Sequence, residues 1–301
     1  MPESAEIMPE STDTPLLEML SKTLRFEYYG GGLTTIRFPQ TTGWRTMPFA
    51  LISQNPHGKS RLDLEDAAYE NNNARRACCV RAGIRHCCTL VSKTSLSRWV
   101  HVRFVVLGGI DLFALIKPPL FMEGDHGQLI GDINEKLVRL MSKPTPHSFQ
   151  DVLRRNALGL ELLQAVFTGV DISAGAGADG LLRAQRMLPA LEYIHQNLHR
   201  PVMLSELARR VHLSPSRFHA VFRADLGVAP RDYIQRQRVQ KSQELLITTA
   251  LNLAEISESV GYVSQFNFSR IFKKSCGVSP SRYRREVLAS EFGATRNEVQ
   301  A

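Results

Sequence analysis

Residues 214–233 read SPSRFHAVFRADLGVAPRDY, and the same pattern returns fifty positions later in the chain. The matching pairs are Phe218 with Phe268, Phe222 with Phe272, Gly227 with Gly277, Val228 with Val278, Pro230 with Pro280, and Tyr233 with Tyr283. A spacing that stays constant across aromatic, glycine and proline positions indicates an internal repeat. The C-terminal part of the chain is therefore predicted to contain two tandem copies of one small structural unit.

Each copy is predicted to consist of a helix, a sharp turn and a second helix. The apolar positions at helical spacing are Leu204, Leu207 and Val211 in the first copy and Leu253, Ile256 and Val260 in the second. A turn follows, because Gly261 adopts positive φ freely and His212 is of a type enriched there. The second helix begins after the N-capping residues Ser214 and Ser264. This arrangement is a helix-turn-helix, whose second helix enters the major groove of DNA.

The second helix of each unit presents one set of side chains away from its buried phenylalanines, at about 100° per residue. The outward and flanking residues are Ser216, Arg217, His219, Ala220 and Arg223 in the first copy, and Gln265, Phe266, Asn267, Ser269, Arg270 and Lys273 in the second. Arg pairs with guanine, Asn or Gln with adenine, and an aromatic ring with the thymine methyl group. A solvated helix face explains either set alone, but two aligned sets favour base readout. All except Ala220 and Ser269 are predicted DNA contacts.

The chain from about Leu191 to Arg285 resembles the DNA-binding domain of the AraC/XylS family of bacterial transcription regulators. The segments that carry the resemblance are LSELARRVHLSPSRFHAVF, RVQKSQELL and LAEISESVGYVSQFNFSRIFKKSCGVSPSRYRR. The resemblance implies two lobes joined by one long helix, at about residues 232–248, that contact successive major grooves on one face of DNA. Ala220 departs from the family, since many members carry a basic residue there. The first lobe is therefore expected to read fewer bases.

The charge of the chain is divided unevenly along its 301 residues. Lys and Arg equal Asp and Glu over residues 1–180, with 19 of each, whereas residues 181–301 hold 18 basic and 10 acidic residues. A basic domain beside a neutral one is typical of nucleic-acid binding, because DNA phosphates require cations. No apolar run approaches the roughly 18 residues of a spanning helix, and the polar N-terminus lacks a signal-peptide pattern. A cytoplasmic protein with no membrane association is expected.

The N-terminal part is predicted to be a β-rich domain at residues 16–170, after a flexible tail at residues 1–15. The strand-like runs are FEYYGGGLTTIRF, PFALIS, ARRACCVRAGI, HCCTLV and RWVHVRFVVL, which fit an antiparallel barrel or sandwich. Turns are expected at Gly30–Gly32 and at Asn55–Gly58.

The segments RAGIRH, ending at His86, and RWVHVRF, containing Trp99 and His101, resemble the cupin sensor domains of many AraC-type regulators. Ala82 stands where that pattern has proline. The resemblance implies a cavity for a small organic effector, often a sugar. His86, Trp99 and His101 are the candidate ligand-binding residues, although the two histidines fit local hydrogen bonding equally well.

Helical segments are predicted after the strands. One stripe comprises Ile133, Leu137 and Leu140, and the next comprises Val152, Leu153, Asn156, Leu160, Leu163 and Phe167 within residues 149–167. In related regulators such helices pair two subunits, and plain core packing is the alternative. A Gly-rich linker is expected at residues 171–180, then the DNA-binding domain at 181–290 and a flexible tail at 291–301. The predicted class is α+β: a cupin-like β-barrel with a helical dimerisation segment, then an all-α domain with two helix-turn-helix motifs.

Metal and catalytic chemistry are disfavoured. Cys78, Cys79, Cys87 and Cys88 bracket His86, but adjacent residues on a strand point to opposite faces, so each pair offers one sulfur to any point. Phosphate loops, nucleophile elbows and HExxH motifs are missing from the sequence, so no catalytic residue, metal or cofactor is predicted.

The sequence therefore predicts a transcription regulator, an activator rather than a repressor by family resemblance. Its expected partners are double-stranded DNA, a small-molecule effector, RNA polymerase and a second copy of the chain. Three alternatives stay open: a DNA-repair regulator that transfers alkyl groups, a metal or thiol sensor that uses the cysteines, and a cupin sensor that acts through protein partners.

Overall fold

The computed structural model describes the chain in stretches separated by short gaps. They are residue 20 and residues 22–36, 39–106, 109–142, 148–170 and 186–292. Strands fill the N-terminal part of these stretches and helices the C-terminal part, which confirms the predicted α+β class. The predicted tail at residues 1–15, the linker at 171–180 and all but the first two residues of the tail at 291–301 lie outside the described residues.

The strands form two antiparallel sheets. They are β1 Arg25–Ile36, β2 Gln40–Thr41, β3 Arg45–Thr46, β4 Ala50–His57, β5 Ser60–Leu64, β6 Ala68–Asn71, β7 Ala77–Val80, β8 Arg85–Leu90, β9 Ser95–Val106, β10 Ile110–Asp111 and β11 Phe121–Met122. The first sheet has the order β1-β9-β4-β7-β11, with β10 also paired to β9. The second has the order β2-β8-β5-β6, with β3 paired to β8. The antiparallel two-sheet arrangement predicted from the sequence is confirmed.

The predicted turn at Gly30–Gly32 is wrong, because these glycines lie inside β1. The strand bulges between Tyr28 and Gly30 and continues its pairing with β9. A Cβ atom at Gly32 would sit 3.0 Å from the ring of Trp99 on β9, so glycine gives that ring its space. At Asn55–Gly58 the strand continues to His57, and Gly58, with φ of 90°, makes the turn.

The described helices follow the strands, apart from a short one between β10 and β11. They are α1 Leu112–Leu115, α2 Gly124–Met141, α3 Phe149–Phe167, α4 Leu188–Gln196, α5 Leu204–Arg210, α6 Pro215–Leu226, α7 Pro230–Thr248, α8 Leu253–Ser259, α9 Gln265–Cys276 and α10 Pro280–Phe292. Helix α7 begins two residues before the predicted long helix and ends where predicted. Helix α10 runs two residues past the predicted end of the DNA-binding domain.

Helix α2 packs on the first sheet through the predicted stripe. Ile133 and Leu137 are fully buried and Leu140 nearly so. Asn134 lies on the same face, and its Nδ2 donates to the carbonyl oxygens of Ile52 at 3.0 Å and Arg98 at 3.2 Å. The buried amide therefore fixes the helix to β4 and β9.

The stripe predicted for α3 is exposed at three of its six positions. The buried face contains Leu158, Leu162, Ala165, Val166 and Phe167. Of the predicted positions, Leu153, Asn156 and Leu160 are exposed. The reason is a close approach at Gly159, where a Cβ atom would overlap the ring of Phe26 on β1. The glycine lets this face of the helix lie against the sheet and turns the leucine stripe outward.

Two hydrophobic cores hold the C-terminal helices. The larger one joins the N-terminal sheets to α4 and the first helix-turn-helix, with Met187, Leu191 and Ile194 buried as predicted. The smaller one holds the second helix-turn-helix around Phe268 and Phe272. Across the described stretches, no helix combines the length and apolarity needed to span a lipid bilayer.

Candidate DNA-binding surface and effector cavity

The two helix-turn-helix units have the same internal packing. Rings lie against one another in the same order in both, with centroid distances of 5.3 Å for Phe218 and Phe222, 5.5 Å for Phe222 and Tyr233, 5.7 Å for Phe268 and Phe272, and 5.4 Å for Phe272 and Tyr283. The tyrosine contacts are edge-on in both units, at 75° and 76°. The sequence repeat is therefore also a structural repeat.

The turns and caps of the two units are built as the sequence predicts. His212 has φ of 55° and Gly261 has φ of 79°, so both turns use the left-handed region. Ser214 Oγ accepts from the backbone N–H of Arg217 at 3.3 Å, which caps α6. Ser264 Oγ does the same for Asn267 at 3.2 Å and caps α9. These local interactions fix the start and direction of both candidate recognition helices.

The predicted DNA contacts lie on open helix faces. Ser216, Arg217, His219 and Arg223 are exposed on α6, and Gln265, Phe266, Arg270 and Lys273 are exposed on α9. Asn267 is half-buried, and its Oδ1 accepts from Arg270 Nη2 at 3.3 Å, which orients the guanidinium. Phe266 is 81% exposed, a costly position for a ring without a partner.

Val263 is a further exposed apolar residue beside the candidate DNA-binding face. It lies in the turn before α9 and is fully exposed, next to the capping Ser264 and close to Phe266. The two apolar side chains begin the same exposed face that carries Arg270. An apolar residue directly before a recognition helix is the signal that could have identified it.

A cavity of about 200 Å³ lies between the two sheets of the N-terminal domain. Its walls combine hydroxyl, amide and guanidinium groups with aromatic rings, and they include Thr34, Arg45, Ser53, Asn55, Tyr69 and Trp99. Trp99 Nε1 donates to Thr34 Oγ1 at 2.9 Å, which holds the indole in place in the wall. Such a cavity suits a small, polar organic molecule that has an apolar face.

Of the three predicted ligand residues, the structure places Trp99 in the cavity wall and the two histidines behind it. His101 is buried, with its ring 4.7 Å from Phe49 and 5.0 Å from Trp99. His86 is also buried, and its Nδ1 lies 2.9 Å from the carbonyl oxygen of Ile84. Burial lowers the pKa of His86 to about 4, with the charge of Arg45 acting in the same direction. The imidazole of His86 is therefore neutral at pH 7.

The cysteine pairs divide as strand geometry requires. Cys78 and Cys88 line the cavity, whereas Cys79 and Cys87 are buried away from it. Cys78 Sγ lies 3.2 Å from Ser53 Oγ. Burial raises the pKa of the Cys78 thiol, and it raises that of Cys88 to about 12. Protonated thiols are weak nucleophiles and weak metal ligands. No group of three or more potential metal-ligating side chains occurs among the described residues.

Known proteins resemble this chain most clearly in its C-terminal part. Residues 207–286 match a family model described as a helix-turn-helix domain. The arabinose operon regulatory protein of Escherichia coli is 32% identical over 123 residues, covering 34% of this chain and 42% of that protein. The transcriptional activator NphR of a Rhodococcus species is 32% identical over 128 residues, covering 40% of this chain and 38% of that protein. The chain thus spans less than half the length of these curated relatives.

The likeness to a solved structure extends to the N-terminal domain. The crystal structure of ToxT from Vibrio cholerae aligns with 88% of this chain and 98% of its own, at a TM-score of 0.52 and 14% identity. The structural alignment shows a shared fold, with N-terminal sheets before the helical repeat. The C-terminal helices form the helix-turn-helix domain that the chain shares with these regulators, which confirms the resemblance to the AraC/XylS family predicted for this part of the sequence.

Proposed function

We propose that the protein is a cytoplasmic transcription regulator of the AraC/XylS type that binds an operator in response to a small-molecule effector. The observation that carries the proposal is the pair of capped, equivalent helices α6 and α9, whose outer faces carry Arg, Gln, Asn and an exposed aromatic ring. Both helices belong to the basic part of the chain. Activation through contact with RNA polymerase is the favoured outcome, because NphR is by name an activator.

The second lobe supplies the more specific part of the proposed DNA contact. Arg270 and Asn267 carry groups that pair with guanine and adenine, and Phe266 suits a thymine methyl group. In the first lobe Ala220 takes the central outward position on α6, which leaves Arg217, His219 and Arg223 at its sides. Ser216 on α6 and Gln265 on α9 complete the two proposed DNA-contacting faces.

The proposed effector binds in the cavity between the sheets, in a domain of cupin type. A carbohydrate fits the lining, because Trp99 offers an aromatic face and Ser53, Asn55 and Arg45 offer hydrogen-bonding groups to hydroxyls. His86 and His101 support this wall from behind.

We also propose that α3 pairs two copies of the chain. Phe149, Leu153, Asn156 and Leu160 recur at the alternating spacing of a coiled-coil heptad, and all four are exposed. Phe149 is 72% exposed, and both leucines are 47% exposed. A second α3 would cover this stripe, and the central Asn156 would fix the register of the pair.

Selection from a random-sequence DNA pool with the full-length chain tests DNA recognition. We expect an enriched duplex whose footprint covers two adjacent major grooves on one face. Failure to enrich any sequence, or a footprint of one groove, would contradict the double-lobe contact.

Thermal unfolding against a panel of monosaccharides and small organic acids tests the cavity. An effector that binds the native state raises the midpoint, since the unfolded chain lacks the site. Trp99→Phe should reduce that rise, whereas Trp44→Phe, a matched change at an exposed indole outside the cavity, should not. An equal effect of both variants would place the ligand elsewhere.

A further inference from the structure

Residues 45–49, here called the clamp segment, comprise β3 and its connection to β4, and their buried side chains pack in the core of the second lobe. Met47 is 1% exposed and Phe49 is 2% exposed. Both pack in the cluster that contains Val239 of α7, Phe268 and Phe272. A short piece of the sensor domain therefore fills part of the hydrophobic core of a DNA-binding lobe.

Two hydrogen bonds attach the same segment to the DNA-binding domain. The hydroxyl of Tyr283 on α10 donates to the carbonyl oxygen of Thr46 at 2.8 Å. The side chain of Gln240 on α7 donates through Nε2 to the carbonyl oxygen of Pro48 at 3.0 Å. Between them, the carbonyl oxygen of Met47 accepts from the backbone N–H of Gly83 inside the sensor domain. The segment is thus held alternately by the two domains.

Both ends of the clamp segment reach the wall of the effector cavity. Arg45 lines the cavity directly, one residue before the carbonyl that Tyr283 binds. At the other end, the ring of Phe49 lies tilted against that of His101, and His101 lies against Trp99 in the cavity wall. Strand β3 is two residues long and pairs with β8 alone among the described strands, so a displacement of Arg45 disturbs the pairing of one short strand.

The tyrosine contact is specific to the second lobe. Tyr233 is the equivalent residue of the first lobe, and its hydroxyl lies 3.1 Å from Nε2 of His195 within the DNA-binding domain. The repeat therefore provides one tyrosine that packs inside its own domain and one that reaches across to the sensor. This difference allows the second lobe alone to be controlled through its tyrosine.

We propose that the clamp segment is an effector-controlled autoinhibitory contact, which restrains the second lobe until a ligand in the cavity displaces Arg45 and Phe49. The inference rests on the proposed function and adds the route from cavity to DNA. The proposal requires the second lobe to shift against the N-terminal domain when both recognition helices enter successive grooves, and the attached clamp segment would oppose that shift. A ligand that binds the released arrangement more tightly moves the balance towards it.

The test uses the effector-free, full-length chain and a duplex that the wild type selects from a random pool. Gln240→Ala combined with Tyr283→Phe removes both hydrogen bonds and keeps the ring packing of the second lobe. We expect fluorescence anisotropy to show DNA binding at least about five-fold tighter than wild type, the lower range of measured allosteric couplings. The matched control is Gln235→Ala, exposed on α7, which should leave DNA affinity within two-fold, roughly 0.4 kcal/mol.

The direction in which DNA affinity changes in the double variant distinguishes an autoinhibitory contact from a purely structural one. A structural contact loses stability and weakens DNA binding when it is broken, so unchanged or weaker binding by the double variant overturns the proposal. If the wild type selects no duplex, the proposed function itself fails, and the clamp fails with it.

A second pair of variants tests the link to the cavity. Arg45→Ala should also tighten effector-free DNA binding and should add nothing to the double variant, because both act on one contact. Arg61→Ala is the control, since Arg61 lines the cavity from β5 and does not join the clamp segment. Equal effects of Arg45→Ala and Arg61→Ala, or full additivity, would refute transmission through Arg45.

Discussion

At the scale of single residues, Arg270 has the clearest geometry for reading a base. It is exposed on α9, and Asn267 orients its guanidinium. Arg270→Ala should cost about 1 to 3 kcal/mol on the selected duplex and relax the preference at one base pair. Anisotropy titrations on single-base variants of that duplex measure the change. Arg139→Ala, an exposed arginine on α2, is the control and should have no effect. An equal loss on every sequence would reject base reading by Arg270.

Lys273 lies one helical turn further along α9 and is predicted to contact a phosphate. Lys273→Ala should weaken binding to all sequences alike and reduce the slope of log affinity against log salt by about one unit. Titrations at several salt concentrations measure the slope. A slope equal to that of wild type would show that Lys273 contacts no phosphate.

The pKa of His86 has a consequence for stability. Burial holds it near 4 in the folded chain, below its value of about 6.5 in an unfolded one. The unfolded state therefore binds the proton first as the pH falls. The contribution of the neutral His86 imidazole to the free energy of unfolding is fully present above about pH 6.5 and is lost towards pH 4. His195 behaves alike, because burial and then the charge of Arg103 lower its pKa to about 4.

Urea unfolding between pH 7 and pH 4.5 measures this effect. His86→Gln should flatten the dependence of unfolding free energy on pH, whatever it does to stability at pH 7. His199→Gln, at an exposed histidine, should leave the dependence as in wild type. A wild-type stability that is constant across this range would refute the burial argument.

At the scale of elements, the turn between α5 and α6 holds stored strain. His212 adopts φ of 55°, whereas the matching turn of the second unit has Gly261. A left-handed conformation costs a non-glycine residue about 1 to 2 kcal/mol. Glycine relieves this strain, but it loses more backbone entropy on folding, which offsets part of the stabilisation. His212→Gly should therefore stabilise the protein by about 0.5 to 1 kcal/mol. Thermal unfolding tests this, with Arg210→Gly on α5 as a control that should destabilise. A lower midpoint for His212→Gly would contradict it.

Sequence reasoning predicted those elements whose signal is local. The two helix-turn-helix units, their caps and their positive-φ turns depend on residues within a few positions of one another. The orientation of α3 depends on Gly159 meeting Phe26 on a distant strand, which periodicity does not contain. The short strands β5 and β6 were missed because their alternation is weak in SRLDL and AYEN.

At the scale of the whole molecule, the exposed stripe of α3 determines the expected assembly. Leu153→Glu with Leu160→Glu should convert a dimer to a monomer, because burying two pairs of carboxylates against each other is strongly unfavourable. Sedimentation equilibrium measures the mass. Arg154→Glu, on α3 beside the stripe, is the control and should remain dimeric. A monomeric wild type would contradict the proposed pairing.

The candidate site was predictable to different degrees in its two parts. The DNA-binding face follows from helical rotation about Phe218 and Phe268, which requires the repeat alone. The cavity depends on which strands face each other, so the sequence pattern did not identify Arg45 and Asn55 as lining residues. Trp99 was identified through the resemblance to the cupin pattern. The contact of Met47 and Phe49 with the second lobe joins residues almost two hundred positions apart, beyond any local pattern.

That shared core limits how the protein can be rebuilt. Fusing this N-terminal domain to the DNA-binding domain of another regulator would remove the core in which Met47 and Phe49 pack and expose both side chains to water. The fusion protein would tend to aggregate unless the new DNA-binding domain had an apolar pocket that could bury both side chains. A workable hybrid therefore has to exchange the pentapeptide at positions 45–49 together with the module that receives it.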